Sequence, residues 1–212
     1  MNALVFDNVA LRIGQRVLVE RFDLSVRPGE IATVMGPSGS GKSSLLAFAC
    51  GTLAPGLSAS GRVRLGERDI GALPPERRRI GILFQDDLLF AHLSVGGNLA
   101  FGLPPGVPDR AARIAAALEE ADLAGFAKRD PATLSGGQRQ RVSLMRMLLA
   151  EPAAVLLDEP FGKLDAELRG RMRSFVFDHV RARGVPCLMV THDREDAVAA
   201  GGPVAALPVA AL

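Results

Sequence analysis

The feature that most constrains this chain is the octapeptide GPSGSGKS at residues 36–43, which fits the pattern G-x-x-x-x-G-K-[ST]. The apolar run before it, at residues 31–35, predicts a short buried strand, and residues 43–49 predict the start of a helix. Glycines let the backbone wrap closely around phosphate groups, and a helix N-terminus adds partial positive charge. The sequence therefore predicts a phosphate-binding loop between a strand and a helix.

Two side chains of this loop indicate what it binds. Lys42 supplies a full positive charge for the β- and γ-phosphates of a nucleotide, and the Ser43 hydroxyl is a suitable ligand for Mg²⁺. The alternative is a glycine-rich turn that fits the pattern by chance, and the other motifs of the chain argue against it. The predicted nucleotide-binding residues of this stretch are Gly36, Pro37, Ser38, Gly39, Ser40, Gly41, Lys42, Ser43 and Ser44.

Length and composition exclude several classes of protein. A chain of 212 residues is expected to form one large domain, or one domain with an insertion. With 48% hydrophobic and 23% charged residues it is neither disordered nor fibrous. The net charge of +2 does not predict a nucleic-acid partner. The basic run of Arg77, Arg78 and Arg79 is interpreted as a solvated turn.

The cysteines and the chain ends bear on the compartment. Cys50 and Cys187 lie in apolar surroundings and form no C-x-x-C pair, which predicts buried free thiols in a reducing compartment. Residues 1–10 lack a basic region, so no signal peptide is expected. Residues 197–212 carry no charge but are too short to span a bilayer as a helix, and they predict a last turn and a final core strand. The chain is expected to be soluble by itself.

The first part of the chain has the pattern of antiparallel strands. Residues 1–35 contain short alternating apolar runs, separated by turn signals at Gly14 and at residues 28–29. Residues 61–70 predict another hairpin, and residues 80–84 predict a strand that ends at Gln85. These segments indicate a β-rich region around the phosphate-binding loop.

The pattern changes between residue 86 and about residue 142. Three prolines precede an alanine-rich amphipathic helix predicted over residues 109–128, with its N-cap near Asp109. We interpret residues 86–142 as a small helical subdomain inserted into an α/β domain formed by residues 1–85 and 143–212.

Helices and strands alternate again after this insertion. Helices are predicted at residues 137–150 and 164–183, and buried strands at residues 153–157 and 186–190. Continuous apolar runs are typical of strands covered on both faces, and their alternation with helices predicts a mostly parallel sheet.

Two adjacent carboxylates, Asp158 and Glu159, follow the predicted strand at residues 153–157. Ligands bind beyond the carboxyl ends of strands in open parallel sheets, so Asp158 is predicted to hold the Mg²⁺ shell and Glu159 to face the γ-phosphate. Hydrolysis requires a water aligned with the breaking bond, and Glu159 is the candidate to orient or deprotonate it. The alternative is that the pair only opens the next helix, where negative charge is favourable.

A second glycine-rich stretch, LSGGQ at residues 134–138, predicts a second anion site at a helix start. One nucleotide does not need two phosphate-binding sites about 100 residues apart in sequence. We therefore expect the second site to contact a nucleotide held by another copy of the chain. The sequence predicts a homodimer on this argument.

These motifs, in this order, resemble those of the ATP-binding-cassette (ABC) ATPases, and specifically the ATP subunits of bacterial importers. The resemblance covers nearly all 212 residues. It implies a P-loop NTPase of the α/β class with a mostly parallel core sheet, an N-terminal antiparallel β subdomain and a small α-helical insertion. It also implies ATP hydrolysis, with ATP and Mg²⁺ as cofactors.

The resemblance assigns roles to residues of this sequence. It implies that Lys42 and the surrounding loop hold the phosphates, that Ser43 and Gln85 coordinate Mg²⁺, and that Gln85 senses the membrane partner. Asp158 is implied to bind Mg²⁺ through water, Glu159 to be the catalytic base and His192 to bond the γ-phosphate. The residues implied to act across the dimer are Ser135, Gly136, Gly137 and Gln138, which contact the opposite ATP, and Asp165 at the dimer seam.

The sequence departs from the family pattern in three places. Ile13 occupies the position where an aromatic residue usually stacks on adenine, so adenine affinity or selectivity is expected to be weaker. Gly162 replaces a frequent serine near the dimer seam. The chain ends 20 residues after His192, so no β-rich regulatory domain is expected, and the chain resembles the shorter importer ATPases of the thiamine or polyamine type.

The resemblance also implies partners and a location. It implies membrane permease subunits, an indirect link to a periplasmic or surface solute-binding protein, and a peripheral position on the cytoplasmic face of the cell membrane. The permease contact is expected in a groove near residues 85–101, although the cluster of apolar residues there is equally well interpreted as core of the insertion. Those residues are Phe84, Leu88, Leu89, Phe90 and Leu93.

Three other functions are alternatives to this one. A soluble ABC ATPase acting on ribosomes or DNA usually has two cassettes or long insertions, and a small-molecule kinase leaves residues 134–138 unexplained. A nucleotide-binding regulator without activity is the third. The transported solute is not encoded in this sequence.

Overall fold

A computed structural model describes residues 2–207, which form strands β1 to β9 and helices α1 to α7. The strands are β1 Leu4–Ile13, β2 Arg16–Val26, β3 Ile31–Met35, β4 Leu57–Leu65, β5 Arg68–Asp69, β6 Ile80–Leu83, β7 Ala154–Asp158, β8 Cys187–Val190 and β9 Val204–Ala206. The α-helices are α1 Lys42–Cys50, α2 Pro75–Arg78, α3 Val95–Gly102, α4 Arg110–Glu120, α5 Gly136–Leu149, α6 Ala166–Ala182 and α7 Arg194–Ala200. Short 3-10 helices lie at Phe126–Lys128 and Pro131–Thr133.

The N-terminal strands form a four-stranded antiparallel sheet in the order β2-β1-β4-β5. Alternate residues of β1, such as Leu4 and Phe6, are buried, as the alternating sequence pattern predicts. The separate apolar runs of the sequence belong to two continuous strands, β1 and β2. A register shift after Phe6 interrupts the pairing of β1 and accounts for the break in its apolar pattern. Asn8 adopts a φ of 50° at this irregularity.

The second sheet has five strands in the order β6-β7-β8-β3-β9. Strand β8 pairs in parallel with both β7 and β3, and β3 pairs in parallel with β9. Every residue of β7 and β8 is buried, which confirms the mostly parallel core sheet. The carboxyl ends of β3, β7 and β8 therefore lie at the same edge, where the predicted phosphate loop, carboxylates and histidine begin.

The described residues group into two compact units. The first contains residues up to Ile82, then Ala153–Glu159, and the chain from Arg173 onward, and the second contains Leu83–Pro152 and Pro160–Met172. Compactness alone does not define a folding domain, so the division predicted at residues 86–142 stays a prediction.

The helix predicted over residues 109–128 is shorter than expected, because α4 ends at Glu120. Asp122 has a φ of 52°, and the N–H of Leu123 donates to the carbonyl of Leu118, which terminates the helix. Asp109 precedes α4, but its φ of 52° is left-handed and its side chain makes no capping hydrogen bond. The sequence also contains a helix that the prediction missed, α3, whose N-cap Ser94 accepts from the N–H of Gly97.

The interpretation of residues 77–79 as a solvated turn is wrong for Arg78, which is 7% exposed. Its guanidinium donates to the carbonyls of Phe48 and Ala49 in the last turn of α1, and to those of Leu73 and Gly71. The last carbonyls of a helix have no partner within the helix, and a guanidinium can satisfy several of them. Arg78 therefore joins the end of α1 to α2.

The last described segment also differs from its prediction. Residues 197–200 belong to α7, and β9 is an edge strand with one neighbour, in which Val204 is 57% exposed. The predicted core strand is thus an exposed edge, and residues 208–212 lie outside the described residues.

Cys50 and Cys187 are buried and free, as expected. Within residues 2–207, no helix combines the length and the apolar character that crossing a bilayer requires.

Candidate functional site

The phosphate loop lies between β3 and α1, as the sequence predicts. Gly39 and Gly41 have φ values of 78° and 94°, a region that residues other than glycine rarely adopt. Gly41 is the N-cap of α1 and, as a glycine, offers no side-chain hydrogen bond to the first turn. The first N–H groups of α1 are therefore not satisfied by a cap and are available to an anion.

Two buried polar side chains belong to this loop. Lys42 is 7% exposed, and its Nζ donates to the carbonyls of Gly36 and Pro37, 2.8 Å from each. The Oγ of Ser40 is buried and has no hydrogen-bond partner among the described residues. The unpaired buried hydroxyl is costly without a ligand, and Lys42 places a positive charge in the loop, so the loop is suited to receive an anionic group.

Asp158 ends β7 and is 5% exposed. Burial raises the pKa of its carboxyl group, while a hydrogen bond with Ser43 lowers it; the charges of Glu159 and Lys42 have opposite, smaller effects. The structure thus brings together the hydroxyl and the carboxylate that the sequence predicted as Mg²⁺ ligands. A buried carboxylate with a raised pKa, next to a lysine, is typical of a functional site.

Glu159 lies directly after β7 with a φ of 46°, and its N–H donates to the carbonyl of Val190. Its Oε1 lies 3.2 Å from Nδ1 of His192, which follows β8 after Thr191. The imidazole is 72% exposed and the carboxylate 23% exposed. Because Asp158 pairs with Val190 across neighbouring strands, the fold brings the two predicted catalytic side chains into contact.

The second predicted anion site lies in the second unit, at the start of α5. Ser135 is the N-cap: its Oγ accepts from the N–H of Gln138, and the Oε1 of Gln138 accepts from the N–H of Ser135. This capping box orients the turn while Ser135 stays exposed. Gly136 and Gly137 form the first turn of the helix, as the motif predicted.

The remaining predicted site residues are distributed over both units. In the second unit, Gln85 is exposed two residues after the end of β6, and Asp165 accepts a hydrogen bond from the N–H of Leu168 at the start of α6. Gly162 lies in the loop before Asp165. In the first unit, Ile13 is 48% exposed at the end of β1.

The apolar residues after β6 are not the buried core of the second unit. None of Phe84, Leu88, Leu89, Phe90 and Leu93 is buried, and Leu88 is 57% exposed. Phe90 packs edge-on against Phe101, which is 67% exposed on α3. This apolar surface, defined by Leu88, Phe90 and Phe101, is a candidate interaction site.

Two residues that support this apolar surface had no signal in the sequence. Asn98 is fully buried; its Oδ1 accepts from the N–H of Phe90, and its Nδ2 donates to the carbonyls of Phe90, Leu93 and Ser94. Arg146 stacks over the Phe90 ring at 5.1 Å, and burial lowers its pKa. A single polar residue inside a helix gave no pattern from which this role could be predicted.

The phosphate loop between β3 and α1, with Asp158 at the end of a nearby parallel strand, defines a nucleotide-binding protein of the P-loop class. The family profile described as ABC transporter matches residues 19–162. The chain belongs to the ABC transporter family. It is the ATP-binding, ATP-hydrolysing subunit of an ABC transporter.

Three relatives illustrate the similarity. An uncharacterized ABC transporter ATP-binding protein of Escherichia coli, YnjD, is 49% identical over 91% of this chain and 90% of its own length. The thiamine import ATP-binding protein ThiQ of Cereibacter sphaeroides is 43% identical over 99% of this chain and 94% of its own. The spermidine/putrescine import ATP-binding protein PotA of Frankia alni is 44% identical, but the chain spans only 41% of that protein.

Solved structures agree with this assignment. A dimeric, post-hydrolysis structure of the ATP-binding cassette MJ0796 with ADP and Pi has a TM-score of 0.84 at 28% identity, covering 96% of this chain and 94% of that one. A second dimeric structure of the same cassette has a TM-score of 0.83 with the same identity and coverage. The fold class and the function expected from the sequence are confirmed.

Proposed function

We propose that this chain supplies the energy for an ABC importer by closing with a second copy around ATP and hydrolysing it. The observation that carries the proposal is the 3.2 Å contact between Glu159 and His192, at the strand edge where the phosphate loop begins. A carboxylate held by a histidine beside a phosphate site is suited to orient an attacking water. Relatives named as import ATP-binding proteins support the direction of transport.

The first unit holds the nucleotide in this proposal. Lys42 exchanges its two carbonyl contacts for phosphate oxygens, and the first N–H groups of α1 bind the same phosphates. Ile13 packs against the adenine through aliphatic contacts. The residues assigned to the nucleotide are Gly36, Pro37, Ser38, Gly39, Ser40, Gly41, Lys42, Ser43, Ser44 and Ile13.

The residues present fit a Mg²⁺ ion. The Ser43 hydroxyl and the Asp158 carboxylate lie within hydrogen-bonding contact, and both are hard oxygen ligands of the kind that Mg²⁺ prefers when it also binds phosphates. We assign the ion to these two groups, Asp158 acting through water, while Gln85 keeps its predicted role as a further ligand. When bound, Mg²⁺ neutralises negative charge that develops on the phosphates.

Glu159 is the proposed catalytic base. It orients the water and accepts its proton, and His192 holds the carboxylate while its exposed ring reaches the γ-phosphate. Position supports both roles: each residue lies one or two residues beyond the end of a buried parallel strand, at the edge of the sheet where the phosphate loop also begins.

The second copy completes the site. We propose that Ser135, Gly136, Gly137 and Gln138 contact the γ-phosphate bound to the other copy, through the helix start of α5, and that Asp165 lies at the seam. The capping box supports this role, because it holds the exposed Ser135 in one orientation before the nucleotide arrives. The dimeric MJ0796 structures support assembly in pairs.

Permease subunits are the proposed membrane partners. The apolar surface of Leu88, Phe90 and Phe101 supports docking there, because exposed aromatic groups in one patch favour a protein contact. The chain is then peripheral on the cytoplasmic face of the cell membrane. Its partners include, indirectly, a solute-binding protein.

Purification of the tagged chain from membranes tests the proposal. A co-purifying membrane protein whose transport activity requires this chain is expected, and Phe101→Asp is expected to abolish co-purification without changing ATP hydrolysis by the isolated chain. Val198→Asp is the matched control, because Val198 is 80% exposed on α7 of the first unit. Co-purification that survives Phe101→Asp and fails for Val198→Asp contradicts the assigned surface.

A further inference from the structure

Asp87, two residues after Gln85, is a nearly buried carboxylate with two cationic partners. Its side chain is 10% exposed; its Oδ2 accepts a hydrogen bond from Nε of Arg139 at 3.2 Å, and its Oδ1 lies 3.5 Å from Nζ of Lys163. Oδ1 has no hydrogen-bond partner in the described part of the chain, so Lys163 supplies the positive charge that faces it. A carboxylate withdrawn from water requires such partners.

Each cation also binds a backbone carbonyl in a segment of the proposed machinery. Nζ of Lys163 donates to the carbonyl of Gln85 at 2.7 Å. Nη1 of Arg139 donates to the carbonyl of Leu134 at 2.6 Å, directly before the N-cap Ser135. The Asp87 carboxylate therefore holds both cations in the positions from which they fix these two backbones.

Backbone packing brings the loop that carries Lys163 against the Ser135 turn. A Cβ atom added to Gly137 would lie 3.2 Å from Cδ2 of Leu164 and 3.3 Å from the carbonyl oxygen of Lys163. Glycine at 137 thus permits a close approach that a larger residue would prevent. All of these groups belong to the second unit, so the three loops form one connected network within it.

We propose that Asp87 is a positioning residue that couples three loops: the Gln85 segment, the Lys163 loop and the turn at residues 134–138. The proposal rests on the proposed function, because it gives the network the task of setting Gln85 and Ser135 in the arrangement that hydrolysis requires. Displacing any one of the three charged side chains, Asp87, Arg139 or Lys163, is expected to shift the backbone at Gln85 and at Leu134. Lys163 and Arg139 are each 38% exposed, so water partly screens their pairs with Asp87.

Steady-state ATP hydrolysis by the purified full chain tests this role. Lys163→Met keeps the length of the side chain and removes its charge and its hydrogen bond, and kcat is expected to fall about fivefold to tenfold. Binding of ATP to the single chain, measured without Mg²⁺, is expected to stay within about twofold, because the phosphate loop that holds the nucleotide is unchanged. Lys163→Arg restores the charge and a donor, and is expected to recover most of kcat.

Lys128→Met is the matched control, since Lys128 is an exposed lysine of the same unit. A double-mutant cycle then isolates the pair. Asp87→Asn combined with Lys163→Met is expected to be no worse than Asp87→Asn alone, because both changes break one network. Circular dichroism and thermal melting confirm that each variant is folded.

A second measurement is independent of turnover. In the Glu159→Gln background, the ATP concentration that half-saturates dimer formation in size-exclusion chromatography is expected to rise about fivefold on adding Lys163→Met, because the Ser135 turn is displaced. If wild type hydrolyses ATP and Lys163→Met equals wild type in kcat and in dimer formation, the network has no positioning role. Equal losses of kcat in Lys163→Met and Lys163→Arg also overturn the positioning role, because Lys163→Arg keeps the charge and a donor. A wild-type chain without ATP hydrolysis contradicts the proposed function instead.

Discussion

Nδ1 of His192 lies 3.2 Å from Oε1 of Glu159, and the two residues follow neighbouring parallel strands. The φ of 46° at Glu159 and the hydrogen bond from its N–H to Val190 fix the backbone at this contact. A strained backbone that is held by neighbouring structure is common where a side chain must be aimed at a ligand. The contact makes Glu159 the most informative residue to change.

Glu159→Gln keeps the size of the side chain and removes the base. We expect kcat for phosphate release to fall by about 10²- to 10⁴-fold, while ATP binding persists, since the phosphate loop is unchanged. Size-exclusion chromatography with ATP is expected to show a trapped dimer. Glu20→Gln, on the exposed part of β2, is expected to behave as wild type. Unchanged phosphate release in Glu159→Gln contradicts the assignment of the base.

Asp158 is predicted to reduce stability in the absence of ligands. Burial raises the pKa of its carboxyl group, so the charged form is less favourable in the folded chain than in the unfolded chain. Stability is therefore lost as pH rises from below the ordinary pKa of aspartate through the raised value, and the full cost applies at neutral pH. Asp158→Asn is expected to raise Tm by a few degrees at neutral pH and by less as pH falls.

The measurement is differential scanning calorimetry without nucleotide or Mg²⁺, at several pH values. Asp23 provides a control of opposite sign, because hydrogen bonds from Asn8 and Arg21 lower the pKa of its carboxyl group. Asp23→Asn is expected to lower Tm at neutral pH, and this difference is expected to shrink as pH falls. An Asp158→Asn variant that melts below wild type at neutral pH contradicts the argument.

The sequence predicted the parts of the fold that depend on local pattern. Periodicity identified both sheets and helices α5 and α6, and the glycine spacing identified the phosphate loop. Partners far apart in the chain were not predictable in this way: Asp87 and Arg139 are 52 residues apart, and Arg78 and Phe48 are 30 apart. Charged residues are usually solvated, so only the fold reveals which of them enters the interior.

Arg78 is expected to be one of the largest single contributors to stability outside the apolar core. Arg78→Met fills part of its volume but leaves four carbonyls without the guanidinium, which we expect to cost about 2–4 kcal/mol of unfolding free energy. Urea denaturation of the two proteins measures this difference. Arg77→Met is the matched control, because Arg77 is the exposed neighbour. Equal stability of the two variants excludes a structural role for Arg78.

Ile13 allows the most direct test of where adenine binds, because the chain contains no Trp and no Tyr. Ile13→Trp introduces a single indole at a position that is 48% exposed in the present chain. Stacking of adenine on this ring is expected to quench its fluorescence and to tighten ATP binding by about threefold to tenfold. Titration without Mg²⁺ measures both effects in one experiment and avoids hydrolysis.

Inorganic triphosphate is the internal control for the same variant. It occupies the phosphate loop but has no base to stack, so its affinity should be the same for Ile13→Trp and wild type, and the indole signal should stay constant. If ATP and triphosphate quench the indole equally, the signal reports loop movement and not adenine contact. If ATP binds without changing the fluorescence, adenine does not lie at the end of β1, and the aliphatic contact assigned to Ile13 is wrong.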